Sequence, residues 1–185
     1  KQLVAFVGED AFFRGARRYF QEHAYGNTAL PDLLAALEGA SERDLGAWSA
    51  AWLQTSGVSE VVVERGDDGS LTLVQSDPRP HRLTVGLFAM DGDRLVPRAR
   101  ATVDALTART PIETDAGAAA ALIVPNVDDR TYAKVRLDPG STDAVEMRLS
   151  SIADAVTRAV VWSALWNATR DGALPVARYL GIVSR

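Results

Sequence analysis

The sequence contains no cysteine. Disulfides, thiolate metal sites and cysteine nucleophiles are therefore excluded. Histidine is scarce as well: His23 and His81 are the only two, far apart in the chain. They cannot form the i, i+4 pair of a helix-borne zinc site. Lysine is limited to Lys1 and Lys134, and the other 18 basic residues are arginine. Dense basic runs are missing, and the formal net charge is −4. A nucleic-acid partner would call for a basic patch or stripe. The densest basic cluster, Arg14, Arg17 and Arg18, falls on one turn of a predicted helix and reads as a solvated face. Long hydrophobic runs are missing too. The most apolar stretches, 116–124 and 159–166, fall short of the ~20 residues that cross a bilayer. Residues 1–7 include neither a starting Met nor a signal-peptide core. These absences predict a soluble, cytoplasmic protein with neither a nucleic-acid nor a membrane partner.

Catalytic signatures are equally sparse. The sequence has no G-x-S-x-G elbow, phosphate-binding loop, dinucleotide fingerprint or zinc-ligand cluster. Gly66-Asp67-Asp68-Gly69 and Asp91-Gly92-Asp93 resemble fragments of calcium loops. Neither has the 12-residue spacing or terminal glutamate of an EF-hand, so both are read as hairpin turns. Asp128-Asp129 is read as a turn before a strand. His23 falls late in a helix, where an imidazolium suits the negative end of the dipole. His81, between prolines and a strand, is expected to be exposed. No catalytic, cofactor-binding or metal-ligating residue is assigned.

What is present is an ordinary globular balance: 185 residues, 47% apolar and 24% charged, enough to bury a core without staples. Its pattern changes twice. Residues 9–57 read as helices. Phe12, Phe13, Ala16, Tyr19, Phe20 and His23 recur at helical spacing, with Asp10 as N-cap and Gly26 as stop. A second helix follows Thr28, with Leu30, Leu33, Leu34 and Leu37 on one face and Pro31 in its first turn. A third starts near Asp44 and groups Leu45, Trp48, Ala51 and Trp52. Residues 58–138 read as six to eight short strands separated by turns, the pattern of an antiparallel β-sandwich. Pro97 marks an edge position or a bulge. Residues 139–185 return to helix, with Ser141 as a cap, the longest pattern at 152–169, and Gly172 and Pro175 as punctuation. The expected fold is α+β: a central antiparallel β-sandwich flanked by an N-terminal and a C-terminal helical segment.

Read as phrases, the sequence resembles a known family. The phrase from Val7-Gly8-Glu9-Asp10-Ala11-Phe12-Phe13-Arg14-Gly15 through Tyr19-Phe20 to His23-Ala24-Tyr25-Gly26-Asn27-Thr28 is similar to a stretch of the aminopeptidase N family. These are zinc metallopeptidases with a thermolysin-like catalytic domain. Asp32-Leu33-Leu34, Leu45, Trp48 and Trp52-Leu53 resemble the end of that domain. Pro125-Asn126 and Tyr132-Ala133-Lys134-Val135 resemble the end of the family's β-sandwich domain. Ala153-Asp154, Trp162-Ser163-Ala164-Leu165-Trp166 and Arg170-Asp171 resemble the opening of its C-terminal helical domain, in the actinobacterial form.

The resemblance implies three segments. Residues 1–57 are the helical end of a catalytic domain, 58–138 a β-sandwich spacer, and 139–185 the start of the C-terminal helical domain. The family's H-E-x-x-H zinc motif, its G-x-M-E-N motif and its catalytic tyrosine have no counterpart here, so no catalytic or metal residue is carried over. The implied function is that of a non-catalytic fragment. Zinc and the removal of N-terminal residues from peptides belong to the parent, whose remainder and peptide substrates are the expected partners. The apolar runs at both ends fit a piece of a longer chain. Exposed apolar faces on the helices of 1–57 and 150–185 are expected, with self-association through them. The alternative is a stand-alone β-sandwich interaction module without enzymatic activity.

Overall fold

The computed structural model describes all 185 residues. The chain divides into two compact units, Lys1–Gly57 and Val58–Arg185.

The first unit is helical: α1 (Gln2–Val7), α2 (Glu9–Glu22), α3 (Leu30–Ser41) and α4 (Gly46–Leu53). Helix α1 has no counterpart among the sequence-predicted elements. Gly8, at φ 89°, ends α1 and caps α2, a left-handed conformation that glycine adopts without penalty. Asp10 therefore sits in the first turn of α2, where its charge favours the helix dipole, and not at the N-cap. Helix α3 follows Ala29, whose N–H donates to the Asp32 carboxylate at 2.8 Å. Before α4, Asp44 Oδ1 accepts from Gly46 N at 2.8 Å.

The buried face of α2 centres on Ala11 and Gly15. Phe13 and Phe20, predicted on its apolar stripe, are 60% and 71% exposed. Gly15 decides how closely α2 and α3 approach: a Cβ there would lie 2.9 Å from the Ala36 carbonyl oxygen. The core of this unit is Phe6, Val7, Leu37, Leu45 and Trp48.

The second unit carries seven strands: β1 (Glu60–Arg65), β2 (Leu71–Gln75), β3 (His81–Asp91), β4 (Arg94–Ala105), β5 (Arg109–Pro111), β6 (Leu122–Val124) and β7 (Lys134–Val135). After them come α5 (Pro139–Glu146), a single 3-10 turn at Leu149–Ser151, α6 (Ala155–Arg170) and α7 (Val176–Val183). The fold is thus mixed α+β, with two sheets ordered β5-β2-β1-β7 and β4-β3-β6. Four of the five strand pairings are antiparallel; β1 and β7 run parallel, Glu60 opposite Lys134 and Val61 opposite Val135. The expectation of purely antiparallel pairing is corrected there. A parallel partner arrives over a long connection, and local alternation carries no sign of it.

Alternation along β2 buries Leu71, Leu73 and Gln75. The buried amide of Gln75 is satisfied by Thr107 O at 2.8 Å and by Arg79 N at 3.1 Å. Pro97 lies on edge strand β4, beside a bulge: Phe88 pairs with Pro97 and Leu87 with Ala99, leaving Arg98 as the extra residue. Gly86 is buried, and a Cβ there would meet Val127 Cγ2 at 2.8 Å, so the close approach needs glycine. Residues of both sheets and of α5, α6 and α7 share one buried apolar cluster. No helix is long and apolar enough to cross a membrane.

Candidate functional site

The acidic turns are structural. Gly66 N donates to Ser70 O at 2.9 Å, and Asp68 Oδ1 accepts from Ser70 N at 2.9 Å, closing the β1–β2 hairpin. Asp91-Gly92-Asp93 connects β3 to β4 through Gly92 at φ 56°. Asp129 adopts φ 52° and donates its N–H to Asn126 O at 2.8 Å, while Asp128 pairs with Arg100. Asn126 is buried, and its side chain closes this turn by accepting from Arg130 N and Thr131 N and donating to Thr131 O.

His23 is half-buried at the C-cap of α2, its ring 5.4 Å from that of Tyr19. His81 is not exposed: it is 1% accessible, with Nδ1 2.7 Å from Thr131 Oγ1. The prolines beside it suggested a surface loop, but its hydrogen-bond partner Thr131 comes from 50 positions further along the chain. Burial, reinforced by the Arg79 charge, pulls the imidazole down to about 4. It is therefore neutral at pH 7.

The polar groups that do converge lie where the strands meet the C-terminal helices. Asp138 caps α5, accepting from Ser141 N at 3.2 Å and from the Ser141 hydroxyl. Arg65, at the end of β1, donates Nε to Asp138 Oδ1 at 3.1 Å, Nη1 to Ala120 O, and Nη2 to Ser141 Oγ at 3.2 Å. Ser141 Oγ also accepts from Ile123 N at 2.8 Å. At the other end of β1, Glu60 accepts from Arg136 Nε at 2.7 Å. Arg136 also pairs with Asp171, at the end of α6, and Lys134 Nζ meets the same carboxylate at 2.8 Å. Arg178 of α7 bridges to Asp143 and Glu146 of α5.

Both ends of β1 are thus tied to chain 70 or more residues later. The Lys134 hydrogen bond, helped by Arg136 against the opposing effect of burial, brings the Asp171 carboxyl down to about 2. A carboxyl so acidic holds no proton to donate at neutral pH, so it does not suit a general acid. The arrangement ties β1 to the start of α5 and to the end of α6.

A cavity of about 220 Å³ opens beside the junction, between Arg136, Leu137, Thr142, Leu165, Leu174 and Arg178. Its volume is below the ~300 Å³ at which ligand pockets begin, and carboxylates engage both arginines. Zinc needs about three protein ligands with a further open position. No group of three His, Cys, Asp or Glu residues that could hold a metal ion comes together. The residues of this chain therefore do not fit a zinc site.

Sequence reading made Ser141 the cap of this helix; the cap is Asp138, and Ser141 lies in the first turn, bonded to Asp138 and Arg65, while the Glu60–Arg136–Asp171 pairing went unread. Asp138-Pro139 was a readable signal: aspartate at an N-cap followed by proline at N1. The charge pairing had no such signal, because its members are far apart in sequence.

Residues 122–185, from β6 to the last residue, match the model of the ERAP1-like C-terminal domain. Over 99% of its length the chain is 41% identical to aminopeptidase N of Streptomyces lividans, of which it spans 24%. Over 36% of its length it is 38% identical to aminopeptidase N of Lactococcus lactis subsp. lactis, covering 8% of that protein. The crystal structure of Legionella pneumophila aminopeptidase A in complex with aspartic acid superposes with a TM-score of 0.71, over 98% of this chain and 22% of that one, at 12% identity. At that identity the likeness shows the fold alone. The near-complete alignment with one quarter of a Streptomyces aminopeptidase N places this chain in the aminopeptidase N family, as a segment of such a protein.

Proposed function

We propose that the chain is a non-catalytic segment of a zinc-dependent aminopeptidase that removes N-terminal residues from peptides. In this reading residues 1–57 back the catalytic domain, 58–138 form a β-sandwich spacer, and 139–185 begin the C-terminal helical domain. The zinc and the peptide substrates belong to the rest of the parent, which is cytoplasmic. The observation that carries the reading is the 41% identity over 99% of the chain, against a relative four times as long. The sandwich is supported by the shared cluster in which Val61, Val63, Leu71 and Leu73 of one sheet join Leu83, Val85 and Leu87 of the other.

The spacer works by rigidity. Strand β1 is anchored at both ends to the chain that leads into the helices, through Arg65–Asp138 and Glu60–Arg136–Asp171. The exposed faces bearing Phe13 and Phe20 in one unit, and Trp166, Val176 and Leu180 in the other, meet the remainder of the parent. Without it they mediate self-association.

The test is made in the full-length parent polypeptide. Arg136→Ala combined with Asp171→Ala loosens the junction and touches no zinc ligand. The reading expects zinc content unchanged and hydrolysis of peptide substrates reduced several-fold. Unchanged hydrolysis with a demonstrably loosened junction would remove the spacer role. Loss of bound zinc would show that these residues act on the metal centre instead.

A further inference from the structure

We draw no further inference here: the strongest candidate, the exposed apolar stripe of Val156, Ala159, Ser163 and Trp166 along α6 together with Val176 and Leu180 of α7, carries nothing because nothing in the structure shows what covers it.

Discussion

Residues 1–57 bury five large apolar side chains in their core cluster, whereas residues 58–185 bury twenty-seven apolar residues in theirs. The first unit is held by helix packing: Phe6 lies near Trp48, Trp48 near Trp52, and α2 meets α3 at Gly15. The second adds charged ties between residues 73 and 76 positions apart. The first also leaves Phe13, Phe20, Tyr25, Leu30 and Leu53 exposed. The difference teaches that the same chain contains one piece with a large shared core and one with a small core, while large apolar side chains stand exposed on both. Small cores are marginal because little surface leaves water on folding.

The sharpest way to break this comparison is to remove one fully buried leucine from each unit. Leu37 and Leu87 are both 0% exposed, and a buried Leu→Ala change costs about 2–5 kcal/mol. Leu37→Ala is expected to abolish amide protection through α2, α3 and α4 while β1–β7 stay protected. Leu87→Ala is expected to lower the urea midpoint of the second unit without unfolding it. Residue-resolved hydrogen exchange separates the outcomes; simultaneous loss of protection in both units would break the contrast.

Acid sharpens it next. The folded His81 pKa is about 4, against about 6.5 unfolded. The unfolded state therefore binds more protons between these values, and stability falls as pH drops from about 6.5 to about 4. The full difference corresponds to ~3 kcal/mol. Urea titrations at stepped pH are expected to show this slope in the second unit, and His81→Gln is expected to flatten it.

Added methyl groups come third. Gly15→Ala and Gly86→Ala each bring a Cβ to within 3 Å of buried neighbours, and overpacking costs about 1–3 kcal/mol. Gly15→Ala regains ~1 kcal/mol of helix propensity, yet it faces backbone, which yields less than the Val127 side chain facing Gly86. Both variants are expected to melt lower by calorimetry, each in its own unit.

The smallest effect is expected from Asp171→Asn. The folded carboxyl titrates near 2, below its unfolded value of about 3.9. Its contribution is present above about 4 and lost as pH falls towards 2. The variant is expected to be slightly less stable at neutral pH and to lack that acid-side dependence in urea titrations.

What was legible in the sequence was what is local. The turn at 66–69 closed a hairpin, Pro97 marked both an edge and a bulge, and Gly92 turned the long hairpin. Helix α1 was missed because six residues give too few turns for a periodic signal. Burial of His81 was missed because its partner Thr131 is distant in sequence, and the parallel β1–β7 pairing because the paired residues lie more than 70 positions apart. Of the junction, only the capping role at the start of α5 could be read along the chain. The ion pairs exist only once the fold brings β1, β7 and α6 together.

The central claim is that these 185 residues support catalysis without performing it. It is tested most directly by incubating the chain with zinc and an aminoacyl-arylamide substrate, with and without a chelator. The account predicts no chelator-sensitive release of the arylamine. Sustained turnover that the chelator abolishes would contradict it.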